Sequence, residues 1–173
     1  MTKDITGNFK ALAQHLTGQN SHRPIIAVDP GETTGVAVFD DYRFLTAQEL
    51  VTKDLASSVK LFQDFFVASA FKCSSEPLVI CEDYRVYGWK TEQHAWAGLH
   101  TPKLIGIILA VCQIESFEIC FRMAHEVKQF CTDDKLQAWG YYHVGSRHAR
   151  DAIRHATFHT LFGNLPQDTK KTS

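Results

Sequence analysis

Ile25-Ile26-Ala27-Val28-Asp29-Pro30-Gly31-Glu32-Thr33-Thr34-Gly35-Val36-Ala37-Val38-Phe39 is the stretch that decides the fold. A branched apolar run ends on an aspartate, Pro30 and Gly31 turn the chain, and Thr34-Gly35 opens a second apolar run. The pattern predicts a buried strand over about 24–29, a tight turn, and an antiparallel return over about 35–40. Asp29 sits where the first strand ends. A carboxylate there adds nothing to a core, because burying it unpaired is costly. Two readings of Asp29 stand at this point: a cap for the turn, or an acid with chemical work to do if others gather beside it.

Upstream, Ile5, Phe9, Leu12 and Leu16 form one helical stripe over 3–18, with Asp4 or Thr6 as cap. This helix packs against the domain or against a partner subunit. Downstream, Arg43 to Ala47 completes a meander through the Asp40-Asp41 turn. Thr52 to Ala70 reads as a helix capped by Thr52, with Leu55, Val59, Phe62, Phe66 and Ala70 inward. Leu78 to Cys81 is a short apolar strand of the kind buried on both faces of a parallel sheet, and it too runs into acids, Glu82 and Asp83. A polar, aromatic loop follows (Tyr84 to Lys90), then a helix from about Pro102 with Leu104, Ile105, Ile108, Leu109 and Cys112 inward. Glu118 to Met123 is a strand, and His125 to Trp139 holds one or two short helices. Ser146 caps a last helix that ends at Phe162, before Gly163 and Pro166. Alternating strands and helices make this an α/β domain. The expected division is a helical extension over 1–20, a domain over 21–163 and a flexible tail over 164–173.

The length of 173 residues, 45% hydrophobic and 21% charged, suits one globular domain. A net charge of −1 means that any nucleic-acid surface must come from local clustering of the 18 Lys and Arg. Five cysteines with no C-x-x-C pair read as reduced thiols, not a zinc site. No apolar run is long enough to span a membrane, and the N-terminus has no signal-peptide core. A cytoplasmic location is expected, in a bacterial cell or a phage-infected host.

Three acids stand out: Asp29 and Glu82 at strand ends, and Asp151 in the last helix. Neighbouring strands would set Asp29 beside Glu82. At 100° per residue, His148 and His155 fall within about 60° of Asp151. Clustered carboxylates repel, and a hard divalent cation such as Mg²⁺ relieves them. Taken singly, Asp151 also reads as an Arg-paired helix residue, since three arginines flank it. His155 and His159 read as ordinary helix-face residues, and His148 does so less strongly.

Ile-Ala-Val-Asp29-Pro-Gly-x-x-Thr-Gly resembles the first strand of RuvC-like Holliday junction resolvases, within the RNase H-like superfamily. Cys81-Glu82 is similar to their second catalytic position. Val127-Lys128-Gln129, followed by Lys135, resembles the segment that carries their DNA-contacting lysines. His148-Ala-Arg-Asp151-Ala-Ile-Arg-His155-Ala resembles their final helix. The likeness spans about 25–162 in order and is nearest in style to small phage-encoded members. His148 stands where the family often has an acid, and some relatives use His there.

The resemblance implies an RNase H-like fold with a mixed sheet flanked by helices, and a metal-dependent endonuclease working as a homodimer on branched DNA. It implies that Asp29, Glu82 and Asp151 hold two Mg²⁺ ions, which Mn²⁺ can replace, with His148 at the second position. DNA-contact candidates are Lys128, Lys135, Arg147, Arg150 and Arg154, together with Arg85 and Lys90 in the loop where Tyr84, Tyr87, Trp89 and Trp96 could stack on unpaired bases. A solvated charged face and a self-packed aromatic loop are the plainer readings of these groups. Three rivals keep a place. One is a nuclease acting on RNA or flap DNA. Another is a junction-binding module without catalysis. The third, a phosphotransferase of the actin and sugar-kinase group, lacks the length and the second phosphate loop, so no nucleotide cofactor is expected.

Overall fold

The hairpin at the head of the domain forms as its pattern predicts. In the computed structural model, which describes residues 7–84 and 99–163, β1 (Ile25–Asp29) pairs antiparallel with β2 (Thr33–Asp40). β3 (Arg43–Val51) returns antiparallel to β2 through Asp41, whose φ of 58° is one that Asp tolerates in a tight turn. β3 runs four residues beyond its expected end at Ala47. It stays in register with β2 back to Thr33, and as an edge strand it carries Gln48 and Glu49 outward at no cost to the core.

β4 (Leu78–Asp83) lies parallel to β1, and β5 (Ile119–Met123) lies parallel to β4. The order β3-β2-β1-β4-β5 is the mixed sheet anticipated from the sequence. Between these strands run α2 (Leu55–Ala70) and α3 (His100–Glu115). The remaining helices are α1 (Phe9–Thr17), α4 (Ala124–Phe130), α5 (Asp133–Ala138) and α6 (Arg147–Phe162).

Because side chains alternate across a strand, β1 feeds two cores. Ile26 and Val28 face α2 and α3, where Phe62, Phe66, Leu104 and Ile108 are fully buried. Ile25 and Ala27 face α1 and α6, among Ala149, Ala152, Ile153 and Ala156. The small residues of α6 let its backbone approach the sheet closely.

Four expectations change, the last being the cap of α1, expected at Asp4 or Thr6 and found at Asn8. Asp54 caps α2 through the amides of Ala56 and Ser57, while Thr52 is buried and engaged elsewhere. The buried stripe of α2 is Ser58, Phe62, Phe66 and Ser69, and Val59 is exposed. In α3, which starts at His100, the buried face is Leu104, Ile108, Val111 and Cys112, and Leu109 is exposed. α1, capped by Asn8, drives Phe9 into the core against Tyr42, Trp139 and Tyr141. No described helix is long and apolar enough to cross a membrane.

Candidate active site

The same alternation carries four residues to one place. Asp29 continues the parity of Ile25 and Ala27, and Glu82 continues that of Ile80, so both side chains fall on the α6 face. Val28 pairs with Cys81, and one residue further the two acids are side by side at the carboxyl ends of adjacent parallel strands. Across the sheet, Asp29 pairs with Gly35, and Gly35 with Glu49, at that same end.

Gly35 is what lets α6 reach the acids. A Cβ on this residue would lie 1.8 Å from the carbonyl oxygen of His148, inside the first turn of α6. Only a residue without a side chain permits that approach. Ser146 caps the turn through the Ala149 amide at 3.1 Å, and its hydroxyl donates to Glu49 at 2.7 Å. Glu49 also accepts from the His148 amide at 3.4 Å, a carboxylate at the positive end of a helix. The first turn is thus fastened to β3 over the glycine of β2.

The turn after Asp29 is fastened as well. Thr34 and Thr52 hydroxyls bond each other at 2.7 Å, and both reach the Gly31 carbonyl. The Thr52 amide donates to Glu32, and His100 of α3 contacts the Thr52 carbonyl at 2.9 Å.

On this frame α6 presents His148, Asp151 and His155 to the strand ends. His148 Nδ1 lies 3.1 Å from Asp29 Oδ2. His155 Nε2 lies 2.8 Å from Glu82 Oε2. Lys128 of α4 reaches in from the side, 3.2 Å from Asp151 and 3.6 Å from Glu82. Arg154 pairs with both Asp151 and Asp133. Asp29 is 7% exposed, Asp151 4% and His155 0%.

Burial, then the charges of Glu82 and Asp151, push the Asp29 carboxyl up to about 7, against the pull of His148 and Lys128. Burial also raises Glu82, but its hydrogen bond and attraction to His155, with help from Lys128 and Asp29, bring it below the usual carboxylate value. Burial lowers the Lys128 ammonium, and the charges of Glu82, Asp151 and Asp29 more than restore it. Burial and the two neighbouring carboxylates together make Asp29 hard to ionise.

The four residues expected to form the site, Asp29, Glu82, His148 and Asp151, lie together. The basic candidates scatter. Lys128 lies within the acid cluster. Arg147 is exposed on the first turn of α6. Arg150 donates to the His143 carbonyl at 3.1 Å and lies over the Tyr142 ring. Arg154 is turned inward to Asp151, Asp133 and the Cys131 carbonyl. Lys135 donates to the Phe130 carbonyl at 2.8 Å and sits on the Phe130 ring, away from the acids. Arg85, Lys90, Tyr87, Trp89 and Trp96 lie outside the described residues. The sequence does not single out Glu49, it shows Gly35 only as the opening of a strand, and it reads His155 as an ordinary helix-face residue, whereas His155 is fully buried against Glu82. For His155 the signal was present in its spacing, seven residues from His148 and four from Asp151.

The donor set suits a hard divalent cation: carboxylate oxygens, buried and crowded, with one imidazole at the edge. Among the described residues, no three His, Cys, Asp or Glu side chains are drawn in around a common point. Lys128 and Arg154 supply the positive charge in this arrangement. Asp29, Glu82 and Asp151 are the residues that would turn toward an ion.

No family model matches the sequence, and no curated protein matches it. Solved structures do resemble it. T. thermophilus RuvC in complex with a Holliday junction substrate superposes with a TM-score of 0.61 at 16% identity, covering 84% of this chain and 97% of that one. A second Thermus thermophilus RuvC structure gives 0.59 at 14% identity, covering 81% and 95%. The mixed five-stranded sheet, its flanking helices and this likeness together give the chain the RuvC-like form of the RNase H-like fold.

Proposed function

We propose that this chain is a metal-dependent, structure-selective DNA endonuclease that resolves four-way junctions or related branched DNA. One observation carries the reading: two acids at the ends of adjacent parallel strands meet a third from α6, and burial together with their crowding lifts Asp29 to about 7. A purely structural cluster gains nothing from a carboxylate in that state. A site for divalent cations does, because bound cations relieve it.

Asp29, Glu82 and Asp151 hold the ions in this reading, two per site, with Mn²⁺ able to replace Mg²⁺. Bound there, they would supply Lewis acidity to a phosphodiester hydrolysis in which water adds to phosphorus and the P–O3′ bond breaks. The chain's own residues arrange the rest. The half-exposed imidazole of His148, beside Asp29, is placed to take a proton from the incoming water or to pass one to solvent. Lys128, held between Glu82 and Asp151, is free to turn to a phosphate oxygen once an ion replaces it. Arg147 on the open end of α6 is the second phosphate contact, and Arg85 and Lys90 extend the set. A two-fold homodimer fits paired cuts on a two-fold junction. The neighbour bound to a Holliday junction supports this substrate class.

The test is cleavage of a labelled four-way junction and a matched linear duplex, with Mg²⁺ or Mn²⁺, by the native protein and Asp29→Asn. Paired symmetric nicks on the junction, lost in the variant, support the proposal. Cutting of RNA or flaps instead keeps the site and changes the substrate. Junction binding without any cleavage makes the protein a non-catalytic module.

A further inference from the structure

We infer that His155 is a positioning residue for Glu82, a role that the resemblance does not assign to it. The inference rests on the nuclease reading above. His155 lies on α6 one turn beyond Asp151, fully buried, with Nε2 2.8 Å from Glu82 Oε2. Its other nitrogen, Nδ1, is buried and has no partner. A buried N–H without an acceptor costs more than a buried lone pair. The hydrogen therefore belongs on Nε2, where the Glu82 carboxylate oxygen accepts it at 2.8 Å.

An imidazole sealed from water is an unusual use of core space. Its neighbour on the same helix face, Ala152, is small, and an apolar side chain would fill the volume without a polar atom to satisfy. What the imidazole adds is direction. Glu82 ends an apolar strand and is itself only partly exposed. Lys128 reaches the same oxygen, Oε2, at 3.6 Å, but it belongs to a short helix and is half-exposed, so it is a looser restraint. His155 is fixed by the packing of α6 and holds that oxygen at 2.8 Å. The other oxygen of Glu82 is then left for Asp29 and for an ion. Carboxylates that ligate metals are commonly oriented by such a partner, and losing it weakens metal binding by about 10–100-fold.

The experiment is Mn²⁺ binding to the full chain without DNA, followed by calorimetry and by the loss of free-ion paramagnetic resonance signal. The proteins are native, Glu82→Gln, His155→Phe and His155→Gln, with folding checked by circular dichroism. The expected result is binding by the native protein, strong loss in Glu82→Gln, about 10-fold or greater weakening in His155→Phe, and recovery to within a few-fold in His155→Gln, whose amide restores a donor. A folded His155→Phe that binds Mn²⁺ like the native protein overturns the inference, and lowered thermal stability with unchanged affinity marks a merely structural histidine. Absence of Mn²⁺ binding by the native protein refutes the nuclease reading instead. Should His155→Phe fail to fold, the native protein decides through its His155 side-chain nitrogen resonances. A hydrogen on Nε2 whose resonance shifts with Mg²⁺ supports the role, and no shift overturns it.

Discussion

Asp29→Asn should make the metal-free protein more stable, and the gain should grow with pH. In the folded chain the Asp29 carboxyl ionises at about 7, and its ordinary value is 3.8. Between those values the folded chain keeps a proton that the unfolded chain has released. Stability therefore falls as pH rises through this window and levels off above about 7. The whole interval corresponds to up to about 4 kcal/mol, of which about 2–3 kcal/mol is lost between about pH 5 and pH 8. Asparagine cannot ionise, so the variant escapes that loss. The proton is shared with Glu82, so as little as ~1 kcal/mol of pH-dependent difference is consistent. For a chain of this length about 2 kcal/mol corresponds to roughly 4–8 °C in Tm. The assay is urea denaturation followed by circular dichroism, with chelator, for both proteins at about pH 5 and pH 8. Adding Mg²⁺ should then raise the Tm of the native protein and leave Asp29→Asn nearly unmoved. A stability difference that is flat or reversed between the two pH values would falsify the electrostatic account of the site.

Three further outcomes are expected. Gly35→Ala places a methyl against the His148 carbonyl, so the first turn of α6 must lift off β2; a loss of about 2–3 kcal/mol in denaturation is expected, with a larger fall in cleavage than in junction binding. Lys128→Met should weaken the metal-free protein by only about 1 kcal/mol, because the lysine is half-exposed, yet tighten Mg²⁺ binding in calorimetry by removing a competing cation. Phe9→Ala should cost about 3–4 kcal/mol by thermal melting, since its ring fills the core between Tyr42, Trp139 and Tyr141; a negligible change would mean that α1 is only appended.

Much of this architecture could be read from residue order. Apolar runs ending on Asp29 and Glu82 announce strands, and the parity of Ile25, Ala27 and Ile80 already dictates which face the acids share. The helix ends were less legible. Asp54 rather than Thr52 caps α2, because Thr52 is drawn into the hydrogen bonds of the β1–β2 turn, a demand that comes from residues about twenty positions away. Glu49 looked like one more polar residue on an edge strand, and only the register with Gly35 brings it to α6. Histidines on a charged helix look alike in sequence. His155 and His159 part company once α6 is docked, His155 meeting Glu82 and His159 meeting Arg122, where burial and that guanidinium press its imidazole down to about 4. Lys128 reads as a phosphate contact through the family resemblance, and Arg154 through its place on the basic flank of the last helix. The pull of the buried acids turns them inward, a long-range effect that local pattern does not carry.

The docking of α6 over Gly35 also says when during folding the centre comes into being. Asp29 and Glu82 are set by a hairpin and a crossover in the first half of the chain. Their partners on α6 arrive across sequence separations of 119 residues for His148 and 73 for His155. Contacts that distant form late, after the loop entropy between them has been overcome. Any state in which α6 has detached keeps the α2–α3 core but lacks Asp151 and both histidines. On the proposed reading, metal binding is therefore tied to the last cooperative step, and hydrogen exchange should show the amides of α6 opening together with the loss of any Mg²⁺ response. A half-folded chain with this topology lacks the assembled cluster of Asp29, Glu82, His148 and Asp151.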